Sequence, residues 1–337
     1  MPASMSGQAE QQTAEEYREF SVHEAGGRSP LYVQLGQGVA DDPEVLGFLA
    51  GLPPAKRQPQ LLLAAVRYLA GVQASYAGFR AIVLDNQAGL AAIMLARRVQ
   101  TNEPARCATL LPALAMLPQP LALLEVGASA GLCLQPDRYG YDYGTRRIGG
   151  QPGAPLLSCR CLGPVPLPDQ PVEVAWRAGI DVNPLDVTDP DDVRWLSCLV
   201  WPGEGDRAAR LAAAIEVARR DPPRVVRGDL LDRLASTAAG APPGATLVVF
   251  HSSVLAYVSP AERQAFARAV IGLDAVWLAH ESPAVMSSSV PGFVPAPPTS
   301  PAPFTAPPGG MAYVLTRNGR DALAYADGHG SWLSWLG

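Results

Sequence analysis

The sequence predicts an α/β protein: a mostly parallel sheet with helices on both faces, closed by a C-terminal antiparallel β-hairpin and preceded by a mainly helical N-terminal region. Three observations support this. From Leu121 onward, short apolar runs alternate with helical patterns. Ahead of residue 119 the periodicity is helical, with no strand-like run. Near the end, Met311–Thr316 and Ala322–Ala326 flank Arg317-Asn318-Gly319-Arg320, whose Asn-Gly pair tolerates positive φ and so signals a hairpin turn. The expected division is a helical cap region over 1–118 and an α/β domain over 119–337.

In the first region, Thr13 to Glu24 carries helix formers, and Asp42 to Leu52 opens with acids and stops before Pro53-Pro54. Gln60 to Ala70 and Ala88 to Gln100 space their apolar residues helically, and Pro104 suits the first turn of a helix running to Met116. In the second region the expected strands are Leu121–Val126, Val172–Ile180, Arg224–Arg227, Thr246–Phe250 and Ala275–Ala279. Helices are expected at Pro190–Val200, Arg207–Arg220, Leu230–Ala238 and Pro260–Ile271. Two stretches break the alternation. Residues 144–171 are rich in Gly and Pro and read as an insertion, with one strand in Leu156–Leu162. Residues 291–310 hold eight prolines and read as a semi-rigid loop or a lid over a site.

Composition narrows the function. The chain has 337 residues, 48% hydrophobic and 17% charged, with net charge −5 and pI near 5.4. An acidic chain lacks the basic face that nucleic acid requires. No apolar run approaches the roughly 20 residues of a membrane span, and the polar start is unlike a signal peptide, so a cytoplasmic location is expected. Five scattered cysteines (Cys107, Cys133, Cys159, Cys161 and Cys198) make neither a disulfide framework nor a zinc site, and no metal is expected.

The chemistry centres on Glu125-Val126-Gly127-Ala128-Ser129-Ala130-Gly131. A buried strand here delivers an acid to a glycine turn, where backbone N–H groups can approach a ligand. In open α/β sheets the ligand sits at the carboxyl ends of the strands. Polar residues follow each expected strand: Asp181 and Asn183, Asp229, His251 with Ser252 and Ser253, and His280 with Glu281. An acid at the second strand end can accept both ribose hydroxyls of a nucleoside.

The order Glu125-Val-Gly127-x-x-x-Gly131, Gly179-Ile-Asp181-x-Asn183 and Gly228-Asp229, followed by an apolar fourth strand, resembles class I S-adenosylmethionine-dependent methyltransferases. The stretches Thr101-Asn-Glu103, Tyr139–Gly144, Trp176–Asp186, Asp221–Asp229 and Phe250–Pro260 also resemble a bacterial family of unknown function with a methyltransferase-like core, over nearly the whole chain. The resemblance implies a Rossmann-like, methyltransferase-type sheet of seven strands and S-adenosylmethionine as cofactor. It places Glu125, Gly127, Ser129 and Gly131 at the methionine part, Asp181 and Asn183 at the ribose, and Asp229 by the adenine. The acceptor would be a small molecule. Two departures stand out. Ser129 occupies the usual middle glycine. Asp181 lies 50 residues past Gly131, so Asp142, 15 residues past Gly127, competes for the ribose role; Asp181 is preferred because an apolar run precedes it.

His251 and His280, with Glu281, are the candidate acid–base residues, and His329 is a further histidine of the same type. Two alternatives remain. One is a non-catalytic cofactor-binding or regulatory protein of the same fold. The other is a serine hydrolase, because Gly127-Ala-Ser129-Ala-Gly131 also satisfies the G-x-S-x-G elbow, with His280 or His329 as base. Against the hydrolase, Pro136 and Gly140 leave no room for the long helix that follows an elbow.

Overall fold

The computed structural model describes residues 5–294 and 312–336. In chain order its helices are α1 (Met5–Glu19), α2 (Pro30–Ala40), α3 (Pro43–Ala50), α4 (Pro59–Ala70), α5 (Tyr76–Asp85), α6 (Gln87–Ala96), α7 (Arg106–Ala115), α8 (Pro190–Leu199), α9 (Gly205–Arg220), α10 (Leu230–Ala238), α11 (Pro260–Ile271) and α12 (Pro283–Ser289). Its strands are β1 (Leu121–Val126), β2 (Gly140–Asp142), β3 (Arg147–Gly149), β4 (Leu156–Ser158), β5 (Arg160–Cys161), β6 (Val174–Asp181), β7 (Arg224–Arg227), β8 (Thr246–Ser252), β9 (Val276–Glu281), β10 (Ala312–Arg317), β11 (Asp321–Asp327) and β12 (Trp332–Trp335). Two compact units form. Among the described residues, the first holds the chain through Thr101 together with Pro190–Ala209, and the second holds Asn102–Asp189 and the rest from Arg210.

Helix starts reuse one device, a polar N-cap followed by proline. Ser29-Pro30, Asp42-Pro43, Ser259-Pro260 and Ser282-Pro283 each satisfy a first-turn N–H with the cap side chain and preset the next φ with the proline ring. In the first unit, α4 and α8 pack through an edge-on Tyr68–Trp195 pair. Arg97 bridges Asp191 and Asp192, and Arg28 lies 4.3 Å over the Trp201 ring while pairing with Glu204. Helix α2 gives no sequence signal because Gly36 and Gly38 lower its propensity. Both glycines are packing positions: a Cβ would stand 2.3 Å from Ser21 Oγ at Gly36 and 2.2 Å from the Tyr76 ring at Gly38.

The second unit carries a nine-stranded sheet of order β5-β12-β11-β10-β9-β8-β1-β6-β7. Strands β7, β6, β1, β8 and β9 are parallel, in the places the sequence indicates. Strand β1 lies between β6 and β8 and is buried along its length, which explains its unbroken apolar run. Antiparallel β10 and β11 form the hairpin. The expected end of the sheet needs correcting: a third antiparallel strand, β12, with Trp332 and Trp335, follows the hairpin, and β5 pairs beyond it. A seven-stranded sheet is therefore not what forms. Leu156–Leu162 is split, β4 joining a small sheet of order β3-β2-β4 and β5 the large one. That small sheet occupies the crossover from β1 to β6, where an alternating fold normally places a helix.

Side-chain alternation assigns the faces. Leu124, Val126, Ala178, Ile180, Val249, Trp277 and Ala279 pack with α10, α11 and α12 in one core. Glu125, Ser252 and His280 project from the other face. Among the described residues no single helix is long and apolar enough to cross a membrane, although the bent pair α5–α6 together reaches that composition. The proline-rich stretch read as a lid lies, from residue 295, outside the described residues.

Candidate functional site

The site is built where the carboxyl ends of β1, β6, β8 and β9 meet the start of α7. After β1 the chain turns through Gly127, Ser129 and Gly131, all at positive φ (71°, 52° and 69°). Protein packing accounts for both glycines. A Cβ on Gly127 would lie 2.3 Å from Val254 Cγ2, and one on Gly131 would lie 2.6 Å from Pro223 Cγ. The turn leads only into the short 3-10 helix Leu132–Leu134, so no long helix presents its N-terminus to a ligand.

Asp181 ends β6, the strand paired with β1. Its carboxylate accepts the Ser129 and Asn183 amides, each at 2.7 Å, and is 9% exposed. Each oxygen keeps a lone pair for a further donor. Asp142 stands elsewhere, on β2 of the small sheet, where Arg147 and the Gly144 amide hold its carboxyl below the usual range. Asn183 and Asp229 flank Asp181. Asp229 is exposed and caps α10 by accepting the Leu231 amide. From the other side, Asn102 clamps the turn: its Oδ1 accepts the Leu132 amide at 3.0 Å and its Nδ2 donates to the Ala128 carbonyl at 3.3 Å. Glu103 is buried and pairs with Arg210.

The three acid–base candidates do not form one group. His251 Nε2 accepts the Trp277 indole N–H at 3.0 Å, so its Nδ1 carries the proton and donates to Glu281 Oε1 at 2.8 Å. The same oxygen accepts the Val254 and Leu255 amides, which fixes the turn after β8. His280 projects to the opposite face. Its Nδ1 shares a hydrogen bond with the Ser252 hydroxyl at 2.8 Å, its ring meets Tyr313, and burial, then Arg106, then His251, push its pKa down to about 3. Both rings are fully buried.

Several buried polar atoms here have no hydrogen-bond partner among the described residues: Glu125 Oε2, Ser129 Oγ, His280 Nε2 and Glu281 Oε2. Buried polar atoms are nearly always satisfied, so these four stand out, as do the Tyr17, Tyr32 and Thr316 hydroxyls elsewhere. Burial pushes the Glu125 carboxyl well above its usual range, Cys133 adds to this, and Arg106 opposes it. The Ser129 hydroxyl, lacking any partner, has no histidine beside it as a base.

The sequence gives no signal for Arg106. It is one arginine in a helical stretch, and only the fold shows that its guanidinium is buried against Ser252, Ser253 and Gly328. Among the described residues no group of three His, Cys, Asp or Glu could hold a metal ion, and all five cysteines are free.

Among the described residues Glu125 Oε2 and Ser129 Oγ have no hydrogen-bond partner, and each Asp181 oxygen, holding one backbone amide, keeps a lone pair.

The structure thus defines a mixed α/β protein whose large, mostly parallel sheet carries a polar cluster at its carboxyl edge. Residues 14–335 match the family described as uncharacterized protein conserved in bacteria (DUF2332), and the chain belongs to that family. Neither the curated proteins nor the solved structures include a match to it.

Proposed function

We propose that the protein is an S-adenosylmethionine-dependent methyltransferase acting on a small-molecule acceptor, with a Rossmann-like core of the methyltransferase type. The observation that carries the reading is the pairing of β1 with β6, which sets the Glu125–Gly131 turn beside Asp181 and leaves buried acceptors there without donors. Glu125 and Ser129 would hold the amino group of the cofactor, Asp181 and Asn183 its ribose, and Asp229 the edge of its adenine. When bound, the cofactor supplies an electrophilic methyl group. The protein's part is to hold an acceptor atom in line with it and keep water away. His251 and His280 are engaged and buried, so acceptor activation by either is not part of the reading.

The same two locked histidines favour one other reading, a protein that binds the cofactor without turning it over. Calorimetry with S-adenosylmethionine and S-adenosylhomocysteine separates the possibilities. Binding by the wild type, lost in Asp181→Ala and kept in Asp142→Ala, is the expected result. No binding by the wild type overturns both readings. Binding without methyl transfer to any acceptor favours the second.

A further inference from the structure

Arg106 opens α7 and is 7% exposed. Its Nε donates to the Gly328 carbonyl at 2.9 Å, Nη1 to the Ser252 carbonyl at 3.0 Å and Nη2 to the Ser253 hydroxyl at 3.2 Å. These acceptors are all neutral. Among the described residues no carboxylate comes within 4.0 Å of the guanidinium. A guanidinium cannot shed its proton in a protein, and buried charges are nearly always paired. Arg106 is therefore a buried cation that touches no carboxylate among the described residues, although its charge reaches the Glu125 carboxyl, and two of its five N–H donors are unassigned.

What surrounds it narrows the anion. Ser253 sits at positive φ (58°), directly after β8, and leads into Val254, whose methyl groups lie over Gly127. Val182, directly after β6, and Tyr257, in the turn after β8, are exposed apolar side chains that follow two of the strand ends. A second observation comes from the histidines. His251 has both ring nitrogens engaged, by Trp277 and Glu281, while His280 has Nδ1 engaged by Ser252 and, buried beside Arg106, has its pKa pushed down to about 3, too weak a base to take a proton from an alcohol or ammonium acceptor. A carboxylate needs no such base, because it is already deprotonated at neutral pH.

We propose that the acceptor is a small carboxylic acid with an apolar body, held through its carboxylate by Arg106 and Ser253 and methylated on a carboxylate oxygen. This rests on the methyltransferase reading above. One carboxylate oxygen donates an electron pair to the methyl carbon, the C–O bond forms as the C–S bond breaks, and the pair of that bond stays on sulfur. The products are a methyl ester and S-adenosylhomocysteine, and the acceptor releases no proton. Arg106 positions the acceptor and supplies specificity.

The test uses the full-length protein saturated with S-adenosylhomocysteine. Benzoate, phenylacetate and octanoate are titrated by calorimetry beside their primary amides. Wild type is expected to prefer at least one acid over its amide by roughly tenfold or more, the scale of one charge-assisted hydrogen bond. Arg106→Gln is expected to remove that preference, Arg106→Lys to keep part of it, and the amide titrations to stay unchanged, which also reports that the variants are folded. With S-adenosylmethionine, the preferred acid is expected to give a base-labile ester heavier by one methylene. Equal affinity for acids and amides overturns the proposal. So does an Arg106→Gln variant that loses S-adenosylhomocysteine binding while keeping 5′-methylthioadenosine, because Arg106 then serves the cofactor's own carboxylate. If the wild type binds no adenosyl compound at all, the methyltransferase reading itself has failed.

Discussion

Asp181 Oδ2 accepts the Ser129 amide at 2.7 Å, so the carboxylate that ends one strand holds the glycine turn of its neighbour. The bond reaches across 52 residues of sequence and is matched by a second, from the Asn183 amide to Oδ1. A carboxylate has two acceptor oxygens for these two amides, whereas an amide side chain has one. Asp181→Asn therefore leaves a backbone N–H facing an NH2 group. We expect a loss of about 1–3 kcal/mol in stability, the usual cost of an unsatisfied buried group. Asp142→Asn, at the small-sheet carboxylate paired with Arg147, should change stability much less. Urea unfolding of both variants checks this; equal effects would mean that the turn does not depend on Asp181.

Gly127 and Val254 form the second contact that fixes the turn. A methyl group on Gly127 would collide with Val254 Cγ2 and would sit at φ 71°. Strain and overpacking each cost about 1–3 kcal/mol, so Gly127→Ala should be among the more damaging single changes in the second unit. Val254→Ala removes the colliding methyls but not the backbone strain. A double-mutant cycle should therefore show partial rescue, the pair being less harmful than the sum of its parts. Strict additivity would place the cost in the backbone alone.

Much of this was legible in the sequence. The five parallel strands and the Asn318-Gly319 hairpin follow from apolar runs bounded by turn residues, and the structure has them within a few residues of the expected bounds. Other elements were not legible. Helix α2 contains two glycines whose value lies in contacts with Ser21 and Tyr76, partners distant in sequence. Strand β12 is short and is fixed by pairing with β11 on one side and β5 on the other. At the site, acids after strands were visible, but their employment was not. Periodicity places His251 and His280 near one sheet edge; only the register shows that they face opposite sides and that Trp277 and Ser252 occupy their nitrogens. The unpaired charge of Arg106 is a property of burial, which its sequence neighbours do not encode.

His280 should set the acid limb of stability. Its folded pKa is about 3, below the ordinary 6.5, because the buried ring resists charge. Between those values the unfolded chain binds the extra proton, so stability rises with pH across this window. The contribution is complete above pH 6.5 and is lost as pH falls towards 3, at a slope of up to about 1.4 kcal/mol per pH unit. His280→Asn offers the Ser252 hydroxyl an acceptor but cannot titrate. Unfolding curves collected from pH 4 to 7, in steps of about one unit, should be flatter for this variant than for the wild type. An unchanged slope would assign the acid sensitivity to other groups.

Glu125 should act with the opposite sign. Burial raises its folded pKa above the ordinary carboxylate value, and one of its oxygens has no donor. Here the native state binds the extra proton, so the contribution to stability is present below the unfolded pKa and is lost as pH rises through the folded one. Glutamine mimics the protonated acid and cannot ionise. Glu125→Gln is expected to be more stable than the wild type at pH 8, by about 1 kcal/mol or more, with the gap closing towards pH 4.5. A residue kept only for the fold would gain nothing from remaining an acid in such a place. A residue kept for a ligand would show a second effect, a loss of S-adenosylhomocysteine affinity of roughly tenfold or more as the variant gains stability. Higher stability with unchanged affinity would leave Glu125 without a part in binding. Lower stability at pH 8 would mean that the carboxylate is already satisfied within the fold.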